Sequence, residues 1–506
     1  MEPGLQTVGL YTSVFCCMAC SVPCKPSPVV KIPLRKIRSY NTRILLDSFP
    51  KLTVQAIFWG ENRRKSKLQP LQQDFTILAE IKQLSLEEAT PTTTISSPIT
   101  ISVVSSIALI QPQDWDICAT ESTGLQSTNP FVSHAFLSTL EETKCAVPEE
   151  GWLPQHLVAR NQEGEVLGVV PLYLKSHSYG EYVFDHSWAS AFYRYGGSYY
   201  PKLQCCVPFS PVTGPRVLVR ERHDKDEVFN ILCKSMLELI HRFQVSSLHV
   251  TFPTQQDCEK MSHHGFLERI GMQYHWHNHD YKSFDEFLMD LKQTKRKNIR
   301  QERKKVQAQN LKVKRLRGDE IKAHHWDAFY KFYRNTTDNK WGQAYLTRDF
   351  FHMLGSRMGR DVLLVIAEDN EELVAGALNL IGGDTLYGRN WGSAPNIFYS
   401  HLHFEMCYYQ AMEAAIEWGL KKVEAGAQGE HKIQRGYLPT ATYSAHYISD
   451  IEFRDAIADF LSRETMQMKS AMQILYQSSP FKAGSHQESD NNSLDRPLES
   501  QFMNSS

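Results

Sequence analysis

No window of the 506-residue chain offers the roughly 18 consecutive apolar residues that a membrane-crossing helix needs. The apolar stretch from Ile99 to Ile110 is short and broken by serines. An excess of one charge is also missing, since 55 Lys and Arg stand against 56 Asp and Glu. No global field therefore draws the chain to nucleic acid or acidic lipid, and charge matters only where it is locally concentrated. The body has no Cys-x-x-Cys, and its cysteines are scattered within an odd total of 11. That argues against a disulfide framework and for a reducing compartment. Cys16, Cys17, Cys20 and Cys24 crowd the N-terminus, but no second ligand pair follows at zinc-site spacing. His275, His277 and His279 alternate along one strand, where collinear side chains converge poorly on a metal. No metal site is expected.

Acidic residues are absent from Pro3 to Leu46, where Lys25, Lys31, Arg35, Lys36, Arg38 and Arg43 are basic and hydroxyl residues are interspersed. Residues 1–60 thus read as an organelle transit peptide, with a secretory signal and a plain disordered leader as rivals. Residues 61–98 are polar and Thr/Ser/Pro-rich, which predicts a linker, and 478–506 predict a disordered tail.

Between these ends the composition is that of a globular body, and its pattern occurs twice. His156-Leu-Val-Ala-Arg, a charged turn and Val166-Leu-Gly-Val-Val-Pro-Leu-Tyr-Leu predict one hairpin. Val362-Leu-Leu-Val-Ile-Ala, a charged turn and Leu373-Val-Ala-Gly-Ala-Leu-Asn-Leu-Ile predict another. Each is followed by an aromatic stretch read as a strand, from Glu181 to Trp188 and from Thr385 to Trp391. Amphipathic helices follow, one from about Lys225 to Phe243 and one starting near His401. Return strands close each unit at Ser247-Leu-His-Val-Thr-Phe and Lys422-Val-Glu-Ala-Gly. The expected fold is α/β with mixed sheets, in two tandem lobes at 99–283 and 319–477. Residues 284–318 are expected to join them as a long basic helix. From 292 to 317 it carries twelve Lys and Arg against the single acid Glu302. Lys295, Arg296, Lys297, Arg300, Arg303 and Lys304 are its candidate polyanion contacts, with a plain solvated face as the alternative.

The strand–loop–helix order matches the core of the GNAT acyltransferase fold, and Arg389-Asn-Trp-Gly392-Ser-Ala394 resembles its coenzyme A signature. Arg389, Gly392 and Ala394 are therefore donor-binding candidates, since a following helix N-terminus suits a pyrophosphate. Gly426-Ala-Gln428-Gly429-Glu430-His431-Lys432 follows the last strand of the second unit. Its glycines let a backbone approach a ligand, so Gly426, Gln428, Gly429, Lys432 and Arg435 are further donor contacts. Glu430 and His431 are the candidate bases for an attacking amine. Lys175, His177, Glu181, Asp185 and His186 form the first-unit counterpart, a candidate acceptor site or else a set of salt bridges.

Longer strings carry a wider resemblance. They are Asn129-Pro-Phe-Val-Ser-His-Ala-Phe-Leu, Pro171-Leu-Tyr-Leu-Lys-x-His-Ser-x-Gly-Glu-Tyr-Val-Phe-Asp, Tyr199-Tyr-Pro-Lys-Leu, Lys295-Arg-Lys-Asn-Ile-Arg-Gln-Glu-Arg-Lys-Lys and Gly426-Ala-Gln-Gly-Glu-His-Lys-Ile-Gln-Arg-Gly-Tyr-Leu-Pro-Thr. Across roughly residues 100 to 465 the chain resembles the FemABX-like "peptidoglycan biosynthesis/recognition" proteins, which have duplicated GNAT-like lobes. The resemblance implies acyl or aminoacyl transfer to an amine, with acyl-CoA or aminoacyl-tRNA as co-substrate and no tightly bound cofactor. tRNA or another polyanion is the implied partner of the basic segment. The leader suits a bacterial-type enzyme in a plant organelle, with chloroplast expected and mitochondrion as the alternative. No Cys or Ser stands in a recognisable nucleophile motif, so direct attack by the amine is expected. The rival expectation is a non-catalytic module of the same fold that grips a glycan, peptide or RNA.

Overall fold

The computed structural model describes residues 75–79, 99–124, 127–340, 344–396, 398–426 and 429–482. The expected leader, most of the expected linker, Gln428 and the tail from 483 onward lie outside the described residues. Part of the linker belongs to the body, because β1 (Phe75–Ala79) pairs antiparallel with β2 (Ile99–Val104). Part of the tail does too, for Phe481 bridges to Leu291 and is buried.

After β2 come α1 (Pro112–Thr123) and α2 (His134–Glu142), the latter capped by the Ser133 hydroxyl on the Phe136 amide. The predicted hairpin follows as β3 (Trp152–Pro154), β4 (His156–Arg160), β5 (Val166–Val170) and β6 (Leu172–Lys175). The first half continues with α3 (His186–Arg194), β7 (Lys202–Cys205), β8 (Leu218–Val219), α4 (Lys225–Phe243), β9 (Ser247–Thr251), α5 (Gln255–Ser262) and β10 (Leu267–His277). Pro171 has no N–H for a ladder, and there the hairpin passes from one sheet to another. β1, β2, β4, β5 and β8 form a five-stranded sheet, while β3 and β6 join a larger one.

The stretch from Glu181 to Trp188 is not the strand its aromatic pattern suggests. It is irregular up to α3, and Tyr182 adopts a left-handed φ of 60°. Two buried carboxylates, described below, fold this segment inward and deny it a ladder.

The second half comprises α6 (Phe284–Asp290), α7 (Gln293–Gln307), β11 (Lys312–Arg317), α8 (Ala323–Lys340), α9 (Arg348–Met358), β12 (Val362–Asp369), β13 (Glu372–Gly382) and β14 (Thr385–Ser393). Then come α10 (Leu402–Phe404), a π-helical turn (Glu405–Tyr409), α11 (Gln410–Glu417), β15 (Lys422–Glu424), a 3-10 turn (Glu430–Arg435), β16 (Leu438–Ile448) and α12 (Ile451–Gln477). The basic segment is thus not one helix over 284–318. It breaks at buried Leu291, resumes as α7, and ends in β11, whose cations protect a sheet edge.

Nor are the two lobes merely side by side. One eleven-stranded sheet runs β11-β12-β13-β14-β15-β10-β16-β9-β7-β6-β3. β10, from the first half, pairs with β15 of the second, and β16 from the second half pairs with β9 of the first. Each half therefore lends its late strand to the other. β10 and β16 pair antiparallel at the centre over nine residue pairs, from Leu267–His446 to His275–Leu438. Among the described residues, no helix is long and apolar enough to cross a membrane.

Candidate active site at the parting of β14 and β15

β14 and β15 run parallel for three residue pairs, ending at Tyr387–Glu424. Past that pair β14 stays with β13, while the chain leaving β15 turns away through Gly426 at φ 80°. At this fork β14 carries a bulge. Leu378 faces Asn390 and Asn379 faces Gly388, so Arg389 is the extra residue without a ladder partner. A bulge leaves backbone groups unpaired and re-aims a side chain.

Arg389 points across to the first half. Its Nη2 lies 3.5 Å from the Phe209 carbonyl oxygen, and its guanidinium carbon is 5.3 Å from the centre of the Phe131 ring. Burial lowers its pKa from the ordinary arginine value. On β15, Glu424 is 3% exposed, with its Oε1 at 2.7 Å from Lys422 Nζ and 3.9 Å from His275 Nε2. Burial alone would raise the Glu424 pKa, but the positive groups around it, the Lys422 ammonium at 2.7 Å among them, hold the carboxyl below its ordinary value. Burial takes His275 down to about 3. Near neutral pH the fork therefore holds an ionised carboxylate beside a neutral imidazole.

The first half has the same fork with valines at the two charged positions. β7 and β9 run parallel for three pairs ending at Cys205–Val250. By register, Val250 stands where β15 has Glu424, and Val207 where β14 has Arg389; both valines are buried. The space beyond is filled by the chain itself. Fully buried Arg216 donates to the carbonyls of Thr251 (2.9 Å), Gly214 (3.0 Å), Pro215 (3.2 Å) and Val212. One fork has valines at these two positions and is plugged by a buried arginine, while the other has Arg389 and Glu424 there.

The predicted site residues fall into three groups. Glu430 is exposed on the first turn after Gly429. His431 is half-buried with Nε2 at 2.9 Å from the Tyr408 hydroxyl, and burial, helped by Lys432 and Arg435, lowers its pKa to about 4. Buried Lys432 donates to the Gly426 carbonyl at 3.2 Å, which places this segment beside the fork. Three donor candidates are accounted for by packing instead. A Cβ on Gly392 would lie 2.2 Å from the carbonyl carbon and oxygen of Phe332, so this glycine lets α8 press on β14. The Ala394 amide donates to the Val374 carbonyl at 2.8 Å. The Arg435 guanidinium is consumed by Glu302 (2.8 Å), the Tyr409 hydroxyl (3.0 Å) and the His431 carbonyl (2.8 Å).

The acceptor candidates Lys175, Glu181 and Asp185 do come together, but inside the protein, around a lysine that sequence reasoning did not single out. Lys202 Nζ donates to Asp185 (2.5 Å), Glu181 (2.7 Å) and Ser178 (2.8 Å). All four charged groups are at most 3% exposed. Burial pulls Lys175 down to about 7 and pushes Glu181 up to about 7. His177 holds the Glu150 carbonyl at 2.9 Å, and only His186 is exposed. Lys202 sits in the quoted Tyr-Tyr-Pro-Lys string, so its signal was visible. Glu424 had one too, as an acid within an otherwise inward-facing strand.

On α7, Lys297, Arg300 and Lys304 are exposed and Lys295 and Arg296 half-buried. Arg300 pairs with Asp285 at 3.0 Å, Lys295 reaches Gln434, and Arg296 lies against Met289. Arg303 is turned inward and grips Glu405 through two bonds of 3.0 and 2.8 Å and Glu413 at 2.6 Å. It is a tie between α7 and the π-helical turn, not a polyanion contact. Among the described residues, no group of three His, Cys, Asp or Glu is placed to hold a metal.

A family model, FemAB_like, described as peptidoglycan biosynthesis/recognition, matches residues 106–483. No curated protein matches the chain in sequence. Among solved structures, FemX is 14% identical at a TM-score of 0.43, covering 69% of this chain and 98% of its own. L-PGS from Bacillus licheniformis is 10% identical at a TM-score of 0.39, covering 71% of this chain and 98% of its own. A tandem GNAT protein from the clavulanic acid biosynthesis pathway is also 10% identical at a TM-score of 0.39, covering 70% of this chain and 99% of its own. Likenesses of this size say nothing of this chain's chemistry.

Proposed function

Because the chain belongs to the FemAB-like family of peptidoglycan biosynthesis/recognition proteins, we propose that it transfers an acyl or aminoacyl group to an amine at the β14–β15 fork. What supports this is the charged fork itself, with its bulge at Arg389 and with Glu424 buried on the neighbouring strand, set against the fork of the other half, which has valines at both positions and is plugged by Arg216. A donor thioester or ester seated at the bulge would find unpaired backbone N–H groups for the oxyanion. Glu424 would receive the amine and take its proton, and the leaving thiol or hydroxyl would depart protonated. Glu430, exposed at the edge of the segment, is the second candidate base. Acyl-CoA and aminoacyl-tRNA both carry phosphates, for which Lys297, Arg300 and Lys304 offer exposed cations. Import into a chloroplast, or alternatively a mitochondrion, belongs to the same reading, and residues 1–60 fused to a fluorescent protein would test it.

The direct test is untargeted mass spectrometry of the purified protein with pools of acyl-CoA, aminoacyl-tRNA and amines. Consumption of one donor class with a matching amide is expected. If no donor is consumed while a glycan, peptide or RNA is bound, the chain is a binding module.

A further inference from the structure

Beside the bulge of β14 lies a cavity of about 20 Å³, walled by Phe131, Phe136 and Leu140 of the first half, Phe209 of the segment after β7, and Leu378 and Leu380 of β13. Among the described residues lining it, Arg389 is the only charged group. A guanidinium drawn into such surroundings normally has a carboxylate beside it, because a charge taken out of water is costly unless it is paired. Arg389 has none among the described residues. Its contacts are the Phe209 carbonyl at 3.5 Å and the Phe131 ring at 5.3 Å. That one long bond uses a single N–H of the five a guanidinium offers. By contrast, Arg303 is spent on Glu405 and Glu413, Arg435 on Glu302, and Arg216 on backbone carbonyls.

The ionisable groups near enough to act on Arg389 are Tyr182 and Glu424. Tyr182 comes from the first half and is held at the left-handed φ of 60°, a costly conformation for a residue with a side chain. Glu424 stands on the neighbouring strand, paired with Tyr387 two residues before Arg389. The fork thus offers an unpaired cation, a buried carboxylate and a small apolar cavity within reach of one ligand.

We propose that Arg389 seats the carboxylate of the acceptor, and that the acceptor is an α-amino acid with a short apolar side chain. This rests on the transferase reading above and names the class of its amine. A guanidinium presents two parallel N–H donors that match a carboxylate. A phosphate, with up to two charges, would call for a second cation, and the lining of the cavity supplies none among the described residues. An α-amino acid carries an ammonium beside its carboxylate, which complements an arginine and a glutamate at one fork. About 20 Å³ holds roughly one methyl-sized group, which suits the side chain of alanine and excludes that of leucine.

Isothermal titration calorimetry on the full chain tests this, with L-alanine, L-alaninamide, L-leucine and inorganic phosphate as probes. L-Alanine is expected to bind. L-Alaninamide keeps the amine and loses the carboxylate, so it should bind about tenfold to a hundredfold more weakly. L-Leucine overfills the cavity and should bind about tenfold more weakly or worse. Phosphate should not compete. Arg389→Leu should abolish alanine binding, and Arg389→Lys should keep part of it. The probe series needs only the wild type, so the test holds even if a variant does not fold. Equal affinity for alanine and alaninamide, no binding of alanine, or displacement of alanine by phosphate would each overturn the proposal. If alanine binds as expected and no donor is consumed in the pool experiment, the carboxylate seat stands and the transferase reading falls. If a donor is consumed onto an amine that carries no carboxylate, the transferase stands and the seat falls.

Discussion

Replacing Lys202 by Met removes the cation that holds two carboxylates inside the first half. The lysine has no exposed surface, and its three hydrogen bonds run to Asp185, Glu181 and Ser178. Without it, Asp185 keeps the Tyr199 hydroxyl at 2.8 Å, and Glu181 keeps Lys175 at 4.0 Å. Neither replaces a direct ion pair. Breaking a buried pair by deleting one partner costs about 3–5 kcal/mol. In the wild type the Asp185 carboxyl is held far below its ordinary range, burial being outweighed by Lys202. The variant binds more protons in its folded state, so its deficit should grow as pH rises and shrink as pH falls toward 4. Urea denaturation at pH 5 and pH 8, followed by tryptophan fluorescence, measures both effects. In Lys202→Met/Asp185→Asn the second change should cost less than it does alone, because the pair acts as a unit. A deficit under about 1 kcal/mol, or one independent of pH, would refute this account.

Acid should destabilise the fold through its neutral histidines. Burial lowers His249 and His275 to about 3, His431 to about 4, and His446 well below its ordinary value. An unfolded histidine titrates near 6.5, so stability is intact above that pH and falls below it, by up to about 1.4 kcal/mol per pH unit for each group. Equal urea midpoints at pH 7.5 and pH 5 would contradict this. Gly392→Ala should cost about 1–3 kcal/mol or more, because the new methyl meets the α8 backbone, which cannot move aside. A thermal midpoint equal to the wild type's would show that α8 yields. Native mass spectrometry should find one donor per chain, since Arg216 fills the first fork; two equivalents would show that this plug opens.

The repeat was legible because hairpins and amphipathic helices are written in local periodicity. α4 falls at Lys225–Phe243 as its apolar spacing predicts, and β12 and β13 follow their β-branched runs. The exchange of β10 and β16 was not legible, because a strand's pattern states which faces are buried and not which neighbour buries them. Glu181 to Trp188 was misread for a related reason: its aromatic content mimics a strand, while its backbone answers to Lys202 in another element. The two stretches singled out in sequence flank the place where β14 and β15 part, but Gly392 and Arg435 resemble ligand contacts in sequence and are explained only by Phe332 and Glu302, residues far away along the chain.

The most direct measurement is the turnover of Glu424→Gln on whichever donor the wild type consumes, together with its donor affinity. The side chains are nearly equal in size, so the fold and donor binding should persist while turnover falls by about a hundredfold or more. Turnover equal to the wild type's would mean that the charged fork between β14 and β15 is not where the acyl group changes hands.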